Sequence, residues 1–271
     1  MADVTSRSVS QATRADGLRT SWTARLGWLI LTAYVLYALS ILDFSFERFI
    51  IGLENAANLL GKMFPPLFSR PDLVTLMFKG LIESLQIAIL ASAVGILLSL
   101  PIGVFAARNL MPAWVTWPAR GLIMLCRSFH PIIVAILFVK GVGFGALAGI
   151  LALIVASVGF IPKLFAEAIE EISLKQVEAV RASGANFMNV LIFAVLPQVS
   201  ARFIGFATYQ LDSNLRNSTM VGIVGGGGIG GTLLSAFGRF DYDYVCAILI
   251  AIIAMIMVGE VISQRLRALF L

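Results

Sequence analysis

Residues 173–187 read Ser-Leu-Lys-Gln-Val-Glu-Ala-Val-Arg-Ala-Ser-Gly-Ala-Asn-Phe, a polar stretch between two long apolar segments. Ser173 followed three residues later by Gln176 is the pattern of a capping box, in which side chains satisfy the free backbone N–H groups at a helix start. Gly184 stands where the residue after a helix adopts a left-handed conformation. The stretch therefore predicts a short capped helix over about 174–183.

The predicted helix has a charged last turn and an apolar edge. Arg181 near its end suits the negative pole of the helix dipole. Leu174, Val177 and Val180 form the apolar edge, and a helix this short has little of its own to bury them against. We therefore expect this edge to dock on a partner protein.

The composition excludes an ordinary water-soluble protein. Of the 271 residues, 59% are hydrophobic and 13% are charged, whereas a typical soluble domain has about 25% charged residues. So few charges cannot cover a surface that faces water, so much of the surface must face the lipid bilayer. The net charge of +5 is explained by Lys and Arg at the cytoplasmic edge of a membrane protein, and we expect no nucleic-acid partner.

Six apolar segments are near or above the roughly 20 residues that a membrane-spanning helix needs. They are residues 25–43, 74–106, 113–139, 146–168, 188–212 and 243–264. Pro131 and Pro197 predict kinks in the third and fifth spans, because proline lacks a backbone donor and clashes with the preceding turn. The expected fold class is all-α, a polytopic membrane protein with six transmembrane helices.

The distribution of Lys and Arg predicts the orientation of these spans. Their excess on one side favours both termini in the cytoplasm, with a cytoplasmic tail over 1–24 and a transmembrane domain over 25–271. The loop 170–187 is then cytoplasmic and the loop 213–242 lies outside. Residues 44–73 carry apolar side chains at helical spacing, so we expect an extracytoplasmic amphipathic segment at the membrane surface.

The region around the quoted stretch resembles the EAA loop of ABC importer permeases. The matching positions are Glu178, Ala179, Gly184, Leu196 and Pro197. Val180 and Ala194 replace an Ala and an Ile of the family pattern, and both changes are mild. In that family the loop is a coupling helix that fits a cleft on the ATPase subunit. The resemblance implies a type I ABC importer permease fold and an ATPase-coupling role for Leu174, Val177, Glu178, Ala179, Arg181 and Gly184.

Further motifs, over about residues 74–266, resemble the phosphonate-type permeases. They are Glu83-Ser-Leu-Gln-Ile-Ala, Pro101-Ile-Gly, Ala106-Ala-Arg-Asn109, Arg127-Ser128, the segment Lys163 to Glu170, the segment Asn214 to Gly222, and the glycine run that ends at Gly231. The resemblance implies a permease for phosphonate, phosphate or phosphite in the inner membrane. It also implies a homodimer, an ABC ATPase dimer that binds ATP and Mg²⁺, and an extracytoplasmic substrate-binding protein.

Two alternatives stay open from the sequence. One is an ABC permease for another small solute such as methionine. The other is an integral-membrane enzyme that uses Glu83, Arg127 and His130 on an anionic lipid. The chain has one histidine and no phosphate-binding Gly-x-x-x-x-Gly-Lys-Ser/Thr motif, so we expect no metal site and no cofactor bound by the chain itself.

The glycine-rich run allows several interpretations. Gly226-x-Gly228-x-x-Gly231 matches a dinucleotide fingerprint, but no strand–helix–strand unit surrounds it. Gly225, Gly226, Gly227 and Gly228 are instead candidates for a gate, a flexible or re-entrant segment at the outer mouth. A loop packed tightly against neighbouring helices is the other interpretation.

Charged residues at membrane depth are costly and usually face the interior of a helix bundle. Arg127 and Arg216 are the main candidates for the translocation pathway, because guanidinium groups suit the oxygens of a phosphonate. The alternative for Arg216 is an ion pair with Asp212 one helical turn away. The remaining pathway candidates are Glu83, Ser128, Asn214, Ser218 and Thr219, and Arg202 and Glu260 are further charged residues at membrane depth.

Overall fold

The computed structural model describes residues 22–42 and 45–270. The described residues form the helices α1 (Trp22–Ile41), α2 (Phe46–Met63), α3 (Pro71–Ala106), α4 (Ala113–Ser128), α5 (Pro131–Val142), α6 (Ala146–Glu170), α7 (Leu174–Ala182), α8 (Phe187–Val190), a π-helical turn (Leu191–Val195), α9 (Leu196–Ile223), α10 (Ile229–Gly238) and α11 (Tyr242–Phe270). No strand occurs among these residues. The all-α fold class is therefore confirmed.

The number of spans agrees with the six predicted from the sequence. Within the described ranges, five helical stretches are long and apolar enough to cross a membrane. A sixth span results when α4 and α5 are taken together as one broken span. Most of the predicted tail 1–24 lies outside the described residues, and α1 begins at Trp22 rather than residue 25.

The chain divides into two compact units, residues 1–58 and 59–271. In the first, α1 is a single apolar helix. Most of α2 also belongs to this unit, and it has one apolar face and one charged face. The amphipathic helix expected within 44–73 is thus present, although its place at a membrane surface stays a prediction. In the second unit, Pro71 is in the first turn of α3, where the missing N–H of proline has no cost.

Small residues allow α3 and α6 to pack closely along their length. A Cβ atom on Gly95 would lie 2.5 Å from Cβ of Ser157, and one on Gly103 would lie 2.6 Å from Cδ1 of Phe165. Such distances are too short for real Cβ contacts, so glycine is required at both positions. Close helix packing through small residues is typical of membrane proteins, and this pair forms the centre of the bundle.

The fifth span begins at Phe187, close to the predicted start at residue 188, but differs from its prediction at the C-terminal end. Helix α9 continues to Ile223 rather than ending at residue 212, so the predicted outer loop 213–242 is wrong over its first eleven positions and over α10. The segment after Asp212 has low hydropathy because it is rich in polar residues, but three of these, Asn214, Ser218 and Thr219, are buried between helices rather than exposed in a loop. The span therefore ends later than its apolar composition indicates.

Pro197 lies in the first turn of α9, directly after an irregular turn of the fifth span. The turn before it is π-helical, with the N–H of Leu196 donating to the carbonyl of Leu191. A wider turn accommodates a residue that lacks an N–H and crowds the preceding turn. The kink predicted at Pro131 is confirmed, because α4 and α5 meet there at 91°.

Candidate functional site

The predicted coupling helix is α7, and Gly184 follows it with a φ of +80°. That left-handed conformation is the one expected of a helix-ending glycine. The predicted capping box is wrong, because the Ser173 side chain makes no cap hydrogen bond. The Ser173 backbone N–H instead donates to Oε1 of Gln198 at 3.0 Å. A residue of α9 therefore takes the role that the sequence gave to Gln176.

One edge of α7 faces solvent and the other is buried. Glu178, Ala179, Arg181 and Gly184 are exposed, and Leu174 is 48% exposed. Val177 is only 2% exposed, and it belongs to a buried cluster of the chain itself whose members include Val190, Ala194, Val195 and Ile169. The expectation that Val177 contributes to an exposed docking edge is therefore wrong, because this side chain anchors α7 to its own bundle.

A second contact joins the segment before α7 to α9. The guanidinium of Arg202 lies 2.5 Å from a carboxylate oxygen of Glu171, and both side chains are more than half exposed. Gln198 also donates from Nε2 to the carbonyl of Ala194 at 2.6 Å. Arg202 thus links α9 to the segment before α7 through an ion pair, a role that its sequence position did not indicate.

The break between α4 and α5 brings together several pathway candidates. Arg127 and Ser128 end α4, and His130 caps α5 by accepting the N–H of Ile132 at its Nδ1 atom at 3.4 Å. Arg127, Ser128 and His130 are exposed on this chain. Irregular backbone at membrane depth is tolerated where it is covered by protein or lines a water-filled cavity. The break is therefore a suitable place for a polar pathway.

The glycine run is a tightly packed turn between α9 and α10. Gly225, Gly227 and Gly228 have φ values of +96°, +79° and +78°. A Cβ on Gly227 would lie 2.7 Å from Oε1 of Glu83, and a Cβ on Gly228 would lie 2.3 Å from Oγ of Ser84. Among the two interpretations left open by the sequence, these contacts favour the packed loop.

Ser84 explains how this turn is held on α3. The Ile229 N–H, at the start of α10, donates to Oγ of Ser84 at 2.9 Å. Gly226 lies against α6, because a Cβ on Gly149 would be 2.3 Å from the Gly226 carbonyl oxygen. The turn therefore contacts helices α3, α6, α9 and α10. Sequence reasoning did not identify Ser84 as the residue that accepts a hydrogen bond from this turn.

Asn214 lies in a buried polar network and has no exposed surface. Its Nδ2 atom lies 3.0 Å from Oγ of Ser92 on α3 and 3.0 Å from Oγ of Ser157 on α6. Gln210 donates from Nε2 to Oδ1 of Asn214 at 2.9 Å and lies 3.1 Å from Ser157 Oγ. The network ties three helices together, so the described conformation does not open Asn214 to a passage.

The remaining candidates on α9 lie near this network. Arg216 forms an ion pair with Asp212, the structural pairing considered for it from the sequence. The Asp212 side chain is 7% exposed and that of Arg216 is 49% exposed. Ser218 donates to the carbonyl of Leu215 at 2.8 Å, and Thr219 is buried with no hydrogen-bond partner for its hydroxyl within the described part of the chain.

A cavity of about 820 Å³ opens at the end of the bundle that carries α7. Its basic lining residues are Arg108, Arg120, Arg127 and Lys163, its acidic one is Glu167, and its other walls include Thr116, Trp117, Ile123 and Met124. It contains Arg127 but not Arg216, so the two predicted pathway arginines are not brought into one cavity. No cluster of three or more His, Cys, Asp or Glu that could hold a metal ion occurs within residues 22–42 and 45–270.

Comparison with known proteins gives a consistent result. A family model described as the binding-protein-dependent transport system inner membrane component matches residues 99–270. The chain is 43% identical over 220 residues to the phosphite transport system permease protein PtxC of Stutzerimonas stutzeri, a match that covers 81% of this chain and 79% of that one. It is 37% identical over 214 residues to the phosphate-import permease protein PhnE of Mycolicibacterium smegmatis, covering 79% of this chain and 40% of the relative.

A solved structure shares the fold. An inward-facing conformation of the MetNI methionine ABC transporter matches with a TM-score of 0.65 and 23% sequence identity, over 74% of this chain and 99% of that one. At this identity the likeness shows the fold alone. The helix arrangement described above is therefore that of a type I ABC importer permease.

Proposed function

Because the chain belongs to the family of binding-protein-dependent transport system inner membrane components, we propose that it forms the passage of an importer for a phosphorus oxyanion. The chain is the permease subunit of an ABC importer and a multi-pass protein of the inner membrane. It is not an enzyme, since ATP hydrolysis resides in the ATPase partner. The alternative of an integral-membrane enzyme acting on a lipid is therefore wrong.

The substrate class rests on one observation. The relative with 43% identity, which the chain matches over four fifths of both sequences, is named as a phosphite permease, and the mycobacterial relative is named as a phosphate importer. Methionine permeases are more distant: the solved methionine transporter is 23% identical, and the probable D-methionine permease of Vibrio cholerae is 26% identical over 68% of this chain. Phosphite, phosphate and phosphonate share tetrahedral phosphorus and negatively charged oxygens, so one passage lined by guanidinium groups suits all three.

The exposed edge of α7 is the proposed contact with the ATPase. Leu174, Glu178, Ala179 and Arg181 present a mixed apolar and charged surface on a helix that its own bundle fixes through Val177. One chain offers one such helix, so an ATPase dimer requires two permease chains. We therefore propose a homodimer with both termini and α7 in the cytoplasm, an extracytoplasmic binding protein as donor of the substrate, and ATP with Mg²⁺ in the partner.

The proposed passage runs along the broken span. Discontinuous helices often form substrate sites in transporters, and here the break exposes Arg127, Ser128 and His130. Arg216, half-exposed on α9, is the second proposed contact for the anion. Alternating access would then move α7 with the ATPase and carry α9 along through Gln198.

Two experiments test these proposals. Glu178→Lys should abolish co-purification of the ATPase, whereas Gln176→Lys, about 160° away around the helix, should preserve it. Uptake by the assembled complex should be measured with phosphite, phosphate, methylphosphonate and methionine. Uptake of methionine alone would overturn the substrate class and leave the permease assignment standing.

A further inference from the structure

The cavity beside α7 has an excess of positive charge that its own carboxylates do not balance. Arg120 is paired with Glu170 at 2.6 Å, and Lys163 lies 3.6 Å from Glu167. Among the described residues, no carboxylate lies within salt-bridge distance of the side chains of Arg108 or Arg127. Two unpaired guanidinium groups therefore face a space of about 820 Å³.

The backbone around the cavity is well fixed. The Arg108 N–H donates to Oε1 of Glu170 at 2.7 Å, and Asn109 donates from Nδ2 to the carbonyl of Ile169 at 2.7 Å. Arg120 donates from Nε to the carbonyl of Ala106 at 2.9 Å. These bonds hold the α3–α4 connection against the end of α6, so the positive side chains are presented by a rigid frame.

Apart from Thr116, the rest of the lining is apolar, and it includes an aromatic side chain of the kind found at a bilayer surface. Ile123 and Met124 form part of the wall, and Trp117 and its neighbour Trp114 are each 78% exposed. Exposed tryptophan is enriched at the membrane–water interface. The cavity thus places guanidinium groups beside an apolar wall that carries an exposed tryptophan.

We propose that this cavity binds the phosphate group of an anionic phospholipid from the leaflet next to α7. Basic pockets between transmembrane helices suit such headgroups, and the guanidinium groups of Arg108 and Arg127 can each donate two hydrogen bonds to phosphate oxygens. The acyl chains extend along the apolar wall beside Met124. Glu167 keeps Lys163 partly neutralised, so the two arginines contribute most of the attraction.

The chemistry of the ligand is a phosphate anion, and a free phosphate ion could supply the same group. A free ion, however, would leave the apolar wall and the exposed tryptophans without a partner. A phospholipid uses both parts of the cavity. The site shares Arg127 with the proposed passage, so for that residue the inference rests on the proposed function, whereas Arg108 belongs to the cavity alone. Lipid binding is measured without substrate or ATP.

The test is native mass spectrometry of the purified full-length chain, titrated with phosphatidylglycerol or phosphatidylcholine. Phosphatidylglycerol should bind more tightly to the unmodified chain, and Arg108→Gln and Arg127→Gln should each weaken it about fivefold, as expected for the loss of one cation near the headgroup. Arg265→Gln removes an exposed arginine of α11 outside the cavity and should leave binding unchanged. Lys163→Gln should have a smaller effect than either arginine variant.

Three outcomes would overturn the proposal. Equal binding of the two lipids would show that the headgroup charge is not recognised. Equal weakening by Arg265→Gln would show a general surface effect. Displacement of phosphatidylglycerol by inorganic phosphate, but not by sodium chloride of the same ionic strength, would assign the cavity to free phosphate. Unchanged melting temperatures of the variants without lipid would show that each chain remains folded.

Discussion

The Ser173 backbone N–H donates to Oε1 of Gln198 across 25 residues of sequence, at 3.0 Å. The bond joins the N-terminus of α7 to the first turn of α9. It is supported by the pair Arg202–Glu171 nearby. A displacement of α7 by a bound ATPase would therefore act directly on the fifth span.

Gln198→Leu should uncouple ATP hydrolysis from transport. The substitution removes the acceptor for Ser173 and costs about 1 kcal/mol of local stability, as for a lost hydrogen bond. The assembled complex should still hydrolyse ATP but transport less substrate for each ATP, measured in proteoliposomes. Gln198→Glu retains an oxygen acceptor and should keep more of the coupling. Equal loss in the two variants would show that this bond does not transmit the motion.

Gly228→Ala should destabilise the protein strongly. Gly228 has φ +78° and ψ −169°, a region that is essentially confined to glycine and costs other residues about 1–3 kcal/mol. Its new Cβ would also lie 2.3 Å from Oγ of Ser84. Thermal unfolding in detergent should show a clear loss of stability.

Gly231→Ala is the matched control for that substitution. Its Cβ would lie 3.6 Å from the nearest atom, the carbonyl oxygen of Gly222, which is an ordinary contact. Alanine within α10 also favours the helix over glycine by about 1 kcal/mol. A melting temperature equal to or above that of the unmodified chain is expected. Similar losses at positions 228 and 231 would contradict the packed-turn assignment.

Helix α7 could be predicted because its signals are local. Gly184 ends α7 as expected, since a left-handed residue after a helix depends on its immediate neighbours. The cap at Ser173 could not be predicted, because its acceptor, Gln198, becomes a neighbour only through the tertiary fold. The same reason explains why Val177, apolar and apparently exposed on an isolated helix, is in fact buried.

The part of α9 after Asp212 could not be predicted from the sequence for a different reason. Membrane spans are recognised by apolar composition, but Gln210 and Asn214 are buried through hydrogen bonds to Ser157 and Ser92. A buried segment whose polar side chains form hydrogen bonds to one another has the same polar composition as an exposed loop. Hydropathy therefore cannot distinguish the two.

Asn214→Leu should destabilise the helix bundle. The change removes the donor to Ser92 and the acceptor for Gln210 in a fully buried site, at an expected cost of about 1–3 kcal/mol for groups left unpaired. Asn217→Leu is the control, because Asn217 is half-buried and has one long contact of 3.4 Å to Ser213. Thermal unfolding of both variants checks this. An equal effect at the two positions would mean that the network does not hold the helices together.

The ion pair between Asp212 and Arg216 allows the structural and transport roles of the arginine to be separated. Arg216→Gln leaves the carboxylate of Asp212, 7% exposed, without its cation, and should lower the free energy of unfolding by about 1–3 kcal/mol. Because the Arg216 guanidinium is half-exposed, this loss of free energy of unfolding is smaller than for a fully buried ion pair. Uptake of phosphite should also fall, because the anion loses a positive contact in the proposed passage.

The double variant Asp212→Asn with Arg216→Gln decides between the two causes. It leaves no buried charge, so its melting temperature should return towards that of the unmodified chain. If Arg216 attracts the anion, uptake stays low although stability is restored. Recovery of uptake together with stability would show that Arg216 serves only to neutralise Asp212. Co-purification of the ATPase with each variant verifies that assembly is intact.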